Sequence, residues 1–462
     1  MTLWPRRWRW QEVLRVGVVV TVLVLSAALI HLVSPRQAKL ILVLIPGLGV
    51  AVVFLRRPAW GLLALIGGSL LVPFSLGTGT QTGINITILT LVLLLGLWLL
   101  DMIVLRRRLR LTLSRVVVAS LAILVSATLA FLAGQLPWFQ VPSAPMSAQL
   151  GGLAVFWLSV VAFLLAAHQI QDMLWLQRLV WLFLALGALY VVGGLLPASR
   201  PTIDALFPHG ATGSVFWIWL VSLAFGQAVF NRQLSGRWRW ALGALVVAVF
   251  YAGLVRTRSW VSGWLPPLVS VVAILVVGRP RLGMLAALAA GLSGIVYRET
   301  IFRIIYLENE YSFLTRVEAW RIVFEIIKVN PVLGLGPANY RFYTPLFSIL
   351  GWYVQFNSHN QYVDLVAQTG ILGLASFLWF VWEVWRLGWR LRDRVCGGFA
   401  QAYIYGTLGA VGGMLAAGML GDWVLPFVYN IGMEGMRASV LGWLFLGGLV
   451  VIEQAERTRV VV

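Results

Sequence analysis

Charge is scarce in this sequence. Only 11% of its 462 residues are charged and 60% are hydrophobic, whereas a soluble domain carries roughly a quarter of its residues charged. That scarcity excludes an ordinary soluble fold. Apolar runs of about 17–25 residues recur along the whole chain, the length a helix needs to cross a bilayer. A membrane β-barrel would instead show alternating segments of roughly ten residues. Cysteine is nearly absent. The single Cys396 excludes an intramolecular disulfide and a multi-cysteine metal site. Lysine occurs only as Lys39 and Lys328, so arginine carries the net charge of +19. The arginines stand in short clusters between apolar runs, where the positive-inside rule puts them, which argues against a nucleic-acid surface. No repeat of fixed period, low-complexity tract or pseudo-symmetric transporter repeat is visible.

The expected fold class is all-α: one polytopic membrane domain over 1–462 with about fourteen transmembrane helices and a long, partly helical loop over 298–360. The spans are expected at about 14–33, 38–55, 59–76, 84–104, 115–134, 149–167, 173–195, 212–231, 239–255, 260–277, 281–297, 361–385, 399–421 and 436–453. Twelve spans, with one hairpin half-inserted, is the competing count. The N-terminus MTLWPRRWRW could open a signal peptide, but the run Leu14 to Val33 is too long for its apolar region and is expected to stay as the first span. Starting inside and alternating leaves both termini inside. Roughly two thirds of the 35 basic residues then fall on inner segments, and the 298–360 loop falls outside.

A loop of that length usually carries function. Within it, Thr315-x-x-Glu318 has the form of a capping box and predicts a helix start, and Asn330-Pro331 predicts its end. On a helical wheel Glu318, Arg321, Glu325 and Lys328 share one solvated face of opposite-charge pairs. Arg316 falls on the other side with Trp320, Val323 and Ile327, in a first turn where the helix dipole disfavours a cation. It could meet an anion at the helix start or pair with a loop glutamate. Downstream, Gly334 and Gly336 suit a tight turn. Tyr340, Tyr343, Trp352 and Tyr353 could stack on sugar rings or anchor at the interface.

Arg256 and Arg258 break the outer depletion of basic residues. They could snorkel to headgroups or hold a phosphate. His359 opens the late span FNSHNQYVDLVAQTGILGL. Its ordinary pKa lies near neutrality, so it could accept a proton; a structural hydrogen bond is the alternative. Asp364, about one turn deeper, is an intramembrane carboxylate and so a functional candidate, unless an arginine simply pairs with it. Asp422, Glu434 and Arg437 belong to the last outer loop.

In this order the residues resemble the O-antigen ligase and polymerase family of bacterial envelope glycosyltransferases, over roughly residues 240–380. The resemblance rests on Thr257-Arg258-Ser259, Arg316-x-x-x-Trp320, Pro331-x-x-Gly334-x-Gly336 with Asn339 and Tyr340, and His359-Asn360 followed by Gly370-x-x-Gly373. It departs at Thr257, where the family has serine, at the extra Arg256, and at Gln368, where an acid is common. The resemblance implies a GT-C-like enzyme in the bacterial cytoplasmic (inner) membrane, with its active site facing the periplasm or cell exterior. It would take a glycan from undecaprenyl diphosphate and pass it to an acceptor hydroxyl on lipid A–core, another glycan or a glycolipid, with inversion and without metal, nucleotide or other cofactor. Arg258 and Arg316, with Arg256 in reserve, would hold the diphosphate. His359 would be the base, supported by Asn360, Asp364 and Tyr340. Ligase and polymerase differ in acceptor, and the His-Asn and Gly-x-x-Gly features lean towards ligase. Outside the enzyme class, a lipid-linked glycan flippase or a non-catalytic assembly partner would fit the same span count.

Overall fold

The structure, a computed structural model, describes residues 47–77, 83–108, 111–112, 114–207, 213–299, 310–395 and 397–461, with backbone alone for 310–313 and 459–461. The expected span at 14–33 and most of that at 38–55 lie outside these residues. The chain divides into two units, Met1–Arg57 and Pro58–Val462. In the first, the described helix is α1 (Gly47–Arg56).

The second unit is a helical bundle. In chain order it runs α2 (Pro58–Leu71), α3 (Ile86–Leu100), α4 (Arg115–Ala133), α5 (Met146–Gln169), α6 (Met173–Leu195), the short α7 (Arg200–Leu206), α8 (Ser214–Phe230), α9 (Gly236–Tyr251), α10 (Val261–Gly278) and α11 (Pro280–Val296). Then come α12 (Glu310–Ile327), one turn α13 (Tyr340–Tyr343), α14 (Gln361–Arg394), α15 (Gly398–Leu420) and α16 (Met436–Val461). A two-residue hairpin pair, β1 (Ser75–Leu76) with β2 (Ile84–Asn85), is antiparallel. The protein is therefore an all-α polytopic membrane protein. Among the described residues nine helical stretches are long and apolar enough to cross a bilayer. The shorter α2, α8 and α11 (14, 17 and 17 residues) coincide with three further expected spans.

The apolar part of α16 is wholly buried, which makes it the axis of the bundle. It packs on α5, α14 packs on α4, and α15 packs on both α8 and α10. The two ends differ in chemistry. At one end the 330–360 loop, the 421–435 loop and the start of α3 interlock: Asn85 caps α3 through Ile88 N–H and donates to Met433 O at 2.7 Å. At the other end lie Arg390 and Arg457, both on Glu453. We call these the loop face and the basic face.

One expectation about α12 is corrected. Thr315 does not begin the helix, which already runs from Glu310. The Thr-x-x-Glu pattern is interior, because a capping box starts a helix only where its Ser or Thr itself leaves helical geometry. Arg316 is thus not in a first turn, and the dipole argument for its isolation does not apply. The solvated face is as expected: Arg321 pairs with Glu318 and Lys328 with Glu325, each at 2.6 Å.

The mouth of α14 is built on glycines. Gly370 sits inside α14 with φ +65° and ψ −172°, so the helix is broken there. The break leaves backbone groups without helical partners, which is costly in a membrane. The segment 331–336 supplies them. Leu335 and Gly336 N–H donate to Ala367 and Gln368 O at 2.9 and 3.0 Å, and Ile371 and Leu372 N–H donate to Pro331 and Val332 O at 2.9 and 3.2 Å. This clasp has no room for side chains. A Cβ on Gly370 would lie 2.1 Å from Val332 O, and one on Gly334 (φ +72°) 2.5 Å from Gly370 N. Asn339, fully buried, locks the clasp to the end of α4 by donating to Gly134 O and Leu335 O and accepting from Ala144 N–H.

Candidate functional site

The clasp and α12 together present the tripeptide Ser358-His359-Asn360. Asn360 is the N-cap of α14, its side chain accepting from Tyr362 and Val363 N–H at 2.9 and 3.3 Å. That is the local reason α14 starts here. Ser358, fully buried, is held from four directions. Its N–H donates to the Tyr340 hydroxyl, its carbonyl accepts from Trp320 Nε1 at 2.7 Å, and its hydroxyl bonds Asp364 Oδ1 at 2.7 Å and Asn360 O at 2.9 Å. Between these fixed points His359 adopts φ +49°. The left-handed region costs a residue with a Cβ about 1–2 kcal/mol, and such strain concentrates at working sites.

Helix α12 brings Arg316 to this histidine. Ala319, Ile322, Val323, Ile326 and Ile327 form a buried stripe packed with Leu335, Tyr340, Tyr343, Val363 and Phe427. Trp320 follows Arg316 by one turn and bonds the residue before His359. Burial and then the Arg316 charge push the His359 pKa down to about 4. The imidazole is therefore neutral at neutral pH, beside a guanidinium. Burial also lowers the Arg316 pKa. Among the described residues no carboxylate pairs with Arg316: the loop's Glu318 and Glu325 are taken by Arg321 and Lys328, and Glu308 lies outside them.

Asp364 is fully buried, and its partners are hydroxyls rather than an arginine. Tyr340 donates to Oδ1 at 2.5 Å and Ser358 at 2.7 Å. Among the described residues Oδ2 has no hydrogen-bond partner. Tyr340 is equally buried and stacks on Phe427 at 4.9 Å, so it is no platform for a sugar. Burial first, then the Asp364 charge, hold its hydroxyl well above its ordinary pKa. Trp352 and Tyr353 are exposed. Asp422 belongs to the adjoining loop. Burial pushes it up to about 6, against the Phe427 N–H and Asn430 side chain that bond its charged form. Arg437 is buried on Glu434 and on the carbonyls of Val72 and Phe74.

The other predicted cations stand between α9 and α10. Arg256 ends a π-helical turn, Ala252–Arg256, and donates to Gly194 and Leu195 O at 2.8 Å each, closing the C-terminus of α6. It lines a cavity of about 710 Å³ with Tyr190, Trp217, Trp260, Arg200 and Asp204. Arg258 is exposed two residues on, its carbonyl accepting from Trp264 Nε1. Neither Arg316 nor His359 lines that cavity. The edge of this region does reach the central loops, since Trp260 meets Trp423 edge-on at 6.0 Å.

Sequence reading missed Ser358 and Gln361, and named Asn339 without a role. Gln361 holds the 421–435 loop by accepting from Val424 and Leu425 N–H and donating to Leu425 O. A usable signal existed: small polar residues flanking a glycine turn or a helix start commonly bond backbone. Gln368 uses its side-chain oxygen on Ala338 N–H at 3.3 Å, a bond that an ionised acid there could also accept. Among the described residues there is no group of three or more potential metal ligands. No family model matches this chain, and no curated protein matches it.

Proposed function

We propose that the protein is a membrane glycosyltransferase of the O-antigen ligase type, moving a glycan from undecaprenyl diphosphate to an acceptor hydroxyl at the loop face. The observation that carries this reading is the strained, buried His359 at the mouth of α14, held beside the Asn360 cap and the Trp320–Ser358 bond of α12, where the Arg316 charge acts on it. A neutral imidazole can take the proton of an acceptor hydroxyl. A neighbouring guanidinium with no carboxylate partner among the described residues can take the charge that develops on a departing diphosphate. In the reaction the acceptor oxygen attacks the anomeric carbon, the carbon–oxygen bond to the diphosphate breaks, and that oxygen leaves with the electron pair. The proton goes to His359 and then to solvent. Direct displacement inverts the anomeric centre and needs no metal. Arg258 is the second diphosphate contact in this reading. Arg256 shapes the neighbouring cavity, and Asn360, Asp364, Ser358 and Tyr340 position the base.

The proposal extends to topology: fourteen spans, both termini cytoplasmic, and the loop face on the periplasmic or exterior side of a bacterial cytoplasmic membrane. The arginine-rich opposite end supports this orientation. A polymerase of the same family would differ only in acceptor. A flippase is the reading from another class. Against it, the buried Asp364, Asp422 and Arg437 gather towards the loop face, while Glu453 sits with Arg457 at the other.

The test is purified protein in detergent, given a prenyl-diphosphate glycan and a panel of lipid A–core and glycan acceptors. A new glycosidic bond without any sealed bilayer supports the enzyme. Absence of product with every acceptor, together with donor movement across vesicle membranes, would replace it with a flippase.

A further inference from the structure

A second cavity, of about 550 Å³, opens at the basic face, at the opposite end of the bundle from His359. Its position follows from its walls. His168 closes the C-terminal end of α5, whose N-terminal end is tied to the loop face through Gln149, which bonds Ala144 O beside Asn339. Near the end of α16, Gln454 donates to Thr112 Oγ1 and Ala167 O.

The cavity is preformed. Thr112 N–H donates to His168 Nε2 at 2.9 Å while Nδ1 faces Leu164 O at 2.8 Å, which assigns the Nδ1–H tautomer. Trp98 lies against the same ring, tilted by 40° with centroids 5.2 Å apart. The floor is a π-helical turn, Asp101–Leu105, that continues α3. Such turns are frequent at functional sites, and the other π turn of the described chain opens onto the Arg256 cavity in the same way.

The donors point to an anion. Arg106, Arg108, Gln169 and Gln171 line the space, and the one carboxylate lining it among the described residues, Asp101, is already bonded to Arg106 at 2.8 Å. Among the described residues no carboxylate pairs with Arg108, which leaves a net positive site. The far side is apolar. Trp98 and Met102 form a wall, and Ile103, Val104 and Leu105, on the same turn, are 56–59% exposed. A polar, cationic hollow beside a turn with exposed apolar side chains matches a molecule with a phosphate at one end and hydrocarbon at the other.

We infer that this cavity binds the phosphate of an anionic glycerophospholipid, whose acyl chains lie along Ile103, Val104 and Leu105. A soluble phosphate ester would use the arginines but not these apolar side chains. Basic pockets between helices on the side facing anionic lipid bind headgroups by the same physics.

The test is thermal unfolding of the full-length protein in neutral detergent micelles, titrated with phosphatidylglycerol, phosphatidylcholine or glycerol phosphate. Phosphatidylglycerol alone should give a saturable rise in Tm. Replacing both arginines, Arg106→Gln with Arg108→Gln, should weaken that response by roughly 30-fold. Arg108→Gln alone, which orphans no carboxylate, covers the case of a misfolded double variant and should still weaken it severalfold. The matched control Arg237→Gln with Arg394→Gln removes exposed charge outside the cavity and should respond as wild type. An equal rise with phosphatidylcholine, an equal rise with glycerol phosphate, or an equal loss in the control pair would each overturn the assignment.

Discussion

His359 works as a base only if it is neutral where the reaction runs, and its surroundings secure that. Burial and the Arg316 charge hold its pKa at about 4, below the ordinary 6.5. In the proposed reaction the acid limb should therefore lie well under the usual histidine range. The expected kcat/KM stays level from pH 7 to about pH 5, and Arg316→Gln shifts the limb upward. A wild-type limb centred near 6.5 would contradict the placement. The sign for stability is equally definite. Between pH 6.5 and 4 the unfolded chain binds a proton on this histidine that the folded chain does not, so folding weakens as pH falls through that window. Tyr340→Phe removes a hydroxyl bonded to both the Asp364 carboxylate and the Ser358 N–H. Its expected cost is about 1.5–3 kcal/mol, read as a lower Tm, with transfer falling in kcat more than KM because the His359 backbone loses its anchor. At this scale the sequence showed the candidates but not their partners. His359 and Arg316 stood out by residue type and position. Asp364 stood as a functional candidate with an arginine partner as the alternative; it lies on hydroxyls, and a carboxylate's partner 24 residues back in Tyr340 leaves no local trace.

The clasp at Gly370 is the element that aims the site. It joins two glycine motifs, Gly334-x-Gly336 and Gly370-x-x-Gly373, that looked unrelated in the chain except as a family likeness. The first read as a turn and the second as part of an unbroken span. Only the fold shows that one fills the helix break of the other. Gly370→Ala should lower stability by about 3 kcal/mol or more, through positive φ and overlap with the Val332 carbonyl. Gly334→Ala should do the same. Gly67→Ala is the contrast, because among the described residues nothing lies within 4 Å of a Cβ there and alanine is the better helix former. Melting curves in one detergent check all three, and equal Tm values would rule out a tight clasp. The α12 start illustrates the limit of local signals. A capping sequence at Thr315 was overridden by helix already running from Glu310.

At the scale of the whole molecule, hydropathy and arginine placement carried most of the fold. The twelve expected spans from residue 59 onward each fall on a helix, because span length and flanking charge are set by the bilayer rather than by tertiary contacts. The packing order, with α16 as the buried axis, was not legible, since α16 is no more apolar in sequence than the helices at the rim. Orientation is open to direct labelling. With Cys396→Ser as background, Tyr353→Cys at the loop face should react with an impermeant maleimide in intact cells. Arg394→Cys at the basic face should react only after permeabilisation. The reverse pattern would turn the site towards the cytoplasm and remove the proposed reaction.

The central claim is that His359 and Arg316 act on the same transfer by different chemistry. Single-turnover transfer from a prenyl-diphosphate glycan, measured for wild type, His359→Ala and Arg316→Ala across pH, tests it most directly. His359→Ala should lose about 10²–10⁴-fold in rate, with donor binding kept and the acid limb gone. Arg316→Ala should lose both donor affinity and rate. Transfer by His359→Ala at the wild-type rate, with the same pH profile, would contradict the claim.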